Sequence, residues 1–135
     1  MCANTASRVL DYVNSQQHVL TALMKDLVEA ESPSAHPETH DDVRRILRLA
    51  LASAGYESRE TGGMDKPSHV FARPAERTRG RPSQLVVGHF DTVWPVGTVK
   101  DRPFRIDGNI IHGPGSFDMK GGLAQLVVAL RTIRD

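Results

Sequence analysis

Leu85-Val86-Val87-Gly88 is an uninterrupted apolar run that stops at His89-Phe90-Asp91-Thr92. Apolar residues without alternation are the pattern of a strand covered on both faces, so Gln84 to Phe90 is the strongest predicted strand of the chain. The last predicted helix, Met119 to Arg134, makes a similar demand. Leu123, Ala124, Leu126, Val127, Val128, Ala129, Leu130 and Ile133 wrap almost its whole circumference, and a helix apolar all round has to be buried on several sides. The preceding segments cannot supply all of that cover. Something C-terminal to Asp135, or a partner, is expected to pack there.

The remaining segments fit an α/β arrangement. Val9, Leu10, Val13, Val19, Leu20, Leu23, Met24, Leu27 and Val28 repeat at helical spacing and predict one long or two consecutive amphipathic helices ending near Ala30. Glu31-Ser32-Pro33-Ser34 stops that helix, because Pro33 disfavours helical geometry in the residue before it. Thr39 with Asp42 resembles a capping box for a second helix, with a buried stripe of Val43, Ile46, Leu47, Ala50 and Leu51 and a left-handed stop at Gly55. Tyr56 to Glu60 and Ser68 to Arg73 read as strands around the turn Thr61-Gly62-Gly63. Pro74 to Pro82 reads as a polar, solvated loop. Asp107-Gly108-Asn109 predicts a hairpin turn between Phe104-Arg105-Ile106 and Ile110-Ile111-His112.

Composition narrows the classes. In 135 residues, 39% hydrophobic and 24% charged residues are proportions of a globular chain of one domain or less. The net charge is +1 with no basic block, which argues against nucleic acid and against an acidic membrane surface. The longest apolar stretch, Leu126 to Leu130, is far short of the ~20 residues needed to cross a bilayer. Cys2 is the only cysteine, so no internal disulfide forms. No signal-peptide pattern opens the chain, and a cytoplasmic protein is expected.

Chemistry is concentrated at two loops. His89 and Asp91, two residues apart, face the same way at a strand end, where ligand sites in α/β sheets lie. A neutral imidazole is a good zinc ligand, and zinc-bound histidines usually give their other N–H to a carboxylate, which Asp91 is placed to accept. On spacing alone, His89 capping a strand end and Asp91 starting a turn fits as well. Asp118 follows Gly113-Pro114-Gly115-Ser116-Phe117 at a helix start and would equally serve as a helix cap. Other motifs fail in this loop. Asp118 stands where a dinucleotide fingerprint needs its third glycine, Lys120 lacks the preceding Gly of a P-loop, and Ser116 lacks the flanking glycines of a nucleophile elbow. His112 reads as packing, and His18, His36, His40 and His69 as solvent or cap residues.

Together, Gly88-His89-Phe90-Asp91-Thr92-Val93 and Gly113-Pro114-Gly115-Ser116-Phe117-Asp118-Met119-Lys120-Gly121-Gly122 resemble peptidase family M20, the zinc aminoacylase and carboxypeptidase superfamily, and within it the glutamate carboxypeptidase branch. Pro103 to Asn109 resembles the family's connecting hairpin, and Leu27 to Ser34 its N-terminal helix ending. The resemblance implies the N-terminal portion of a zinc-exopeptidase-like α/β catalytic domain spanning 1–135, a mixed sheet with helices on both faces, incomplete at the C-terminus and without the lid or dimerisation domain. It implies a metal ligand at His89, a bridging ligand between two zinc ions at Asp118, Asp91 orienting His89, and a cis bond from Asp118 to Met119. Lys120, Gly121 and Gly122 would shape the loop.

The implied reaction is hydrolysis of a peptide or N-acyl amide bond by metal-activated water, with a peptide or N-acyl amino acid as substrate. Zinc is the expected metal, and cobalt or manganese would suit the same donors. The general base and the further ligands are expected beyond Asp135. Since a catalytic zinc presents three protein ligands and an open position, the isolated chain is expected to bind zinc weakly and to hydrolyse no peptide. The alternative is an inactive truncated remnant, or a binding fragment that needs a separate C-terminal half.

Overall fold

A computed structural model of the chain describes residues 2–62, 68–78 and 80–134. The N-terminal periodicity resolves into two helices, α1 (Cys2–Ser15) and α2 (Gln17–Glu29). The apolar positions of α2 turn inward and bury Leu23, Met24, Leu27 and Val28. Against them pack Val43 and Leu47 of α3 (Asp41–Ser53) and Ala124 and Val127 of α5 (Gly121–Arg134). This three-helix cluster is the core. Phe90, Phe104, Ile111 and Leu123 close its rim, so the two chemistry-bearing loops are fastened to its edge.

The α1 stripe differs from expectation. Val9, Leu10 and Val13 stay exposed, because no neighbour among the described residues covers that side of the helix. The capping box at Thr39 also does not form. His40 occupies the N-cap of α3 without a side-chain cap bond, and the Thr39 hydroxyl donates to the His36 carbonyl at 2.8 Å instead. A 3₁₀ turn, Pro37–Thr39, has taken the residues that would have formed the box. Gly55, with φ 83, follows the end of α3 as predicted.

β1 (Tyr56–Thr61) and β2 (His69–Pro74) pair antiparallel, with Tyr56 opposite Pro74 and Thr61 opposite His69. The predicted turn between them lies partly outside the described residues. Glu60 ties β1 to α3 by accepting Arg44 and Arg48, each at 3.0 Å. A short helix, α4 (Thr98–Asp101), precedes the second hairpin. There β3 (Arg105–Asp107) pairs with β4 (Ile110–His112) across Gly108, as the turn signal predicted.

The chain is thus a mixed α/β structure. One element departs from the sequence reading: Gln84 to Phe90 joins no ladder among the described residues, and Leu85, Val86 and Val87 stand 83%, 60% and 79% exposed. A strand buried on both faces needs hydrogen-bonding neighbours on both edges, and neither hairpin docks beside it. Helix α5 shows the same shortfall. Ala124, Val127 and Val128 are buried while Ile133 is largely in solvent, so only one side of its apolar surface is covered. No helix among the described residues is long and apolar enough to cross a membrane.

Candidate metal site

His89 is set by the backbone before it. The Gly88 backbone lies against Met119 and Leu123, and a Cβ at Gly88 would sit 3.2 Å from a side-chain carbon of each. The His89 N–H points at the Met119 sulfur at 3.4 Å. This close approach brings residues 88 and 89 onto the loop that carries Asp118. That loop is a wide turn, Ser116–Lys120, with non-helical backbone at Asp118 and Met119 and a cis Asp118–Met119 peptide. The cis bond that the family resemblance implied is therefore present.

The two predicted ligand residues meet. His89 Nε2 lies 3.0 Å from Asp118 Oδ1. On the other side of the ring, Nδ1 is 3.1 Å from the Asp91 main-chain carbonyl and 3.4 Å from Asp91 Oδ1. The shorter contact makes the carbonyl the better acceptor for the Nδ1 proton, with the carboxylate as a second, longer partner. Partial burial disfavours the charged ring, but the Asp91 carbonyl, the Asp118 hydrogen bond and the two carboxylate charges outweigh it and raise the His89 pKa. Asp91 is held below its ordinary value, chiefly by a hydrogen bond from Ser34, against partial desolvation and with further help from its own backbone N–H and from His89 and His40.

The donor set suits a divalent ion. Zinc bonds of about 2.0–2.1 Å in tetrahedral geometry place neighbouring donors roughly 3.3 Å apart, so the His89–Asp118 separation needs only a small widening to admit one. The imidazole and carboxylate are the expected hard-to-borderline donors. Among the described residues, however, no group of three or more His, Cys, Asp or Glu is arranged to hold a metal. The structure presents a corner of a site rather than a closed cage.

Several residues to which the sequence assigned no contact at this corner brace it. Ser32 and His40 are buried; of the sequence reading of His40 as a solvent or cap residue, the cap position holds, at the start of α3, and solvent does not. His40 Nε2 donates to the Pro33 carbonyl at 2.9 Å and its ring meets Phe90 edge-on. The Ser32 hydroxyl donates to the Phe90 carbonyl at 2.7 Å. The Glu31 carboxylate accepts the N–H groups of Gly97 and Val99 at 2.8 and 3.0 Å. Lys120 is only 1% exposed, and its ammonium donates to the Ala30 carbonyl at the end of α2, at 2.9 Å. The sequence signal was slight: hydroxyls on both sides of Pro33, and a lysine inside an otherwise apolar helix start.

Burial lowers the Lys120 pKa from 10.5 to about 8, partly offset by the Glu31 charge. Between these two values the unfolded chain holds a proton that the folded chain has lost, so stability rises with pH across that window. At about 1.4 kcal/mol per pH unit, wild type should gain on the order of 3 kcal/mol relative to Lys120→Met between about pH 8 and 10.5. Urea unfolding of both chains with a chelator present measures this difference. A difference that stays flat over the window refutes the burial argument.

An imidazole and a carboxylate thus meet at the C-terminal end of an apolar run, beside a Gly-Pro-Gly loop. Residues 85–135 match the family model for peptidase family M20/M25/M40. Carboxypeptidase G2 of Pseudomonas sp. (strain RS-16) is 37% identical over 122 residues, covering 89% of this chain and 29% of that protein. Succinyl-diaminopimelate desuccinylases of Xanthobacter autotrophicus and Shewanella pealeana are 33% and 32% identical, covering 80% and 84% of the chain. The chain belongs to peptidase family M20, a family of hydrolases, and spans about 29% of the length of these relatives.

Proposed function

We propose that residues 1–135 are the N-terminal part of one metallopeptidase catalytic domain that hydrolyses peptide or N-acyl amide bonds in a carboxypeptidase-like reaction. The observation that carries this reading is the 3.0 Å approach of His89 to Asp118, at the position where the family resemblance puts metal ligands. The names of the relatives, a carboxypeptidase and two desuccinylases, support an amide bond as the target. His89 Nε2 and an Asp118 oxygen would hold the ion, and Asp91 would orient the ring. Zinc fits these donors, with cobalt and manganese as substitutes. When bound, such an ion polarises the scissile carbonyl and lowers the pKa of attacking water.

The chain's own residues fix the donors and exclude nothing further. Two donors fall short of the three that a catalytic zinc takes from protein, so the reading requires other ligands and a general base from outside residues 1–135. The exposed Leu85, Val86, Val87 and Ile133 mark where the remainder of the domain, or a separately encoded half, would pack. The test is a chimera in which this chain replaces the matching 29% of carboxypeptidase G2. The chimera is expected to cleave an amide beside a free carboxylate and to lose that activity to a chelator. A folded, zinc-supplied chimera without turnover overturns the proposal.

A further inference from the structure

The Ser34 hydroxyl lies 2.6 Å from Asp91 Oδ2 and 3.2 Å from the Thr92 carbonyl. A hydroxyl has one proton, and the shorter, charge-assisted contact takes it. The fold does not need that bond. The backbone of this segment is already fastened by Ser34 N–H to the Thr92 carbonyl at 2.9 Å and by Thr92 N–H to the Ser32 carbonyl at 2.8 Å, forming a parallel bridge between Pro33 and Thr92. Ser32, His40 and Glu31 hold the same segment from the other side. The Ser34 hydroxyl is therefore a fixed donor aimed at a carboxylate, and that carboxylate turns its other oxygen towards His89 at 3.4 Å.

We propose that Ser34 is a positioning residue of the candidate metal site, holding Asp91 in the rotamer that orients the His89 ring towards Asp118. The inference rests on the metal-site reading above and adds a residue to it. A carboxylate bonded at one oxygen only is free to swing about its χ torsions. With Oδ2 pinned by Ser34, the remaining oxygen and the adjacent carbonyl both face Nδ1, which leaves Nε2 directed at Asp118, the residue that would share an ion with it. A group that bonds a metal-ligating histidine directly, as Asp91 would, is worth about 10- to 100-fold in metal affinity, and Ser34 acts through that group.

Cobalt titration of the 135-residue chain, followed by calorimetry, tests this with five variants. Ser34→Ala should weaken cobalt binding by about tenfold or more while the melting temperature of the metal-free chain stays put, because the backbone bonds survive. Ser34→Thr, which keeps the hydroxyl, should restore affinity. In an Asp91→Ala background, Ser34→Ala should have no further effect, the non-additivity expected of two residues acting in series. An undiminished Ser34→Ala effect in that background, or unchanged affinity in Ser34→Ala alone, overturns the assignment. His89→Ala separates the two levels: if it fails to reduce binding, the metal-site reading falls and takes Ser34 with it; if it abolishes binding while Ser34→Ala does nothing, only the role of Ser34 falls.

Discussion

His89→Ala weakens cobalt or zinc binding by at least about a hundredfold, the upper end of what losing a mere supporting partner costs. Asp118→Asn does the same, since an amide keeps the shape but gives up the charge that a shared ion requires. The fold survives both. The side chains of His89 and Asp118 are 46% and 78% exposed, and surface ion pairs contribute no more than about 1 kcal/mol. His112→Ala, whose residue lines a cavity with Trp94 and Arg102, leaves binding unchanged. The pH dependence has a definite sign. An ion has to displace the Nε2 proton, so affinity falls as pH falls. Because the Asp91 carbonyl and the two carboxylates raise the His89 pKa, the fall begins at higher pH than for an unperturbed imidazole. Binding that persists in both variants, or that ignores pH, places the metal elsewhere.

What could be read from sequence divides by the range of the interaction. Helices α2 and α3 were legible because Leu23, Leu27, Val43 and Leu47 recur at helical spacing, and that pattern is local. The hairpin at Gly108 and the stop at Gly55 were legible for the same reason: a backbone conformation is demanded by the residue itself. Gln84 to Phe90 misled because a strand is a relation between segments. Its apolar run meets no neighbouring strand among the described residues. Thr39 misled because a 3₁₀ turn competed locally for the same residues. The meeting of His89 and Asp118, 29 positions apart, was expected from a family resemblance carried by their residue types and loop context, and not from periodicity. The contact of Ser34 with Asp91 spans 57 positions, and neither residue type nor spacing announces it. The burial of His40 was missed likewise, although its cap position at the start of α3 was not, since burial depends on where Pro33 and Phe90 come to lie.

Gly115→Ala lowers stability by about 3 kcal/mol and the melting temperature by roughly 10 °C. Gly115 has φ 72, a conformation that costs a side-chain-bearing residue about 1–2 kcal/mol. A Cβ there would stand 2.5 Å from Thr92 Cγ2 and 3.3 Å from Lys120 Cδ. Thr92 is buried and cannot retreat without releasing its two main-chain bonds to Ser32 and Ser34. Lys120 is fixed by its own bond to Ala30. The new methyl therefore acts as a wedge between the segment that carries His89 and the loop that carries Asp118. Metal binding falls with stability for that geometric reason. Gly108→Ala isolates the conformational part, because Gly108 has φ 57 and open space where its Cβ would go. Its cost should be about 1 kcal/mol with metal binding intact. Equal losses in the two variants would show that backbone conformation alone decides the outcome. A Gly115→Ala chain that melts with the parent would show that the loop and the His89 segment part freely, and the site would then owe its geometry to something other than their contact.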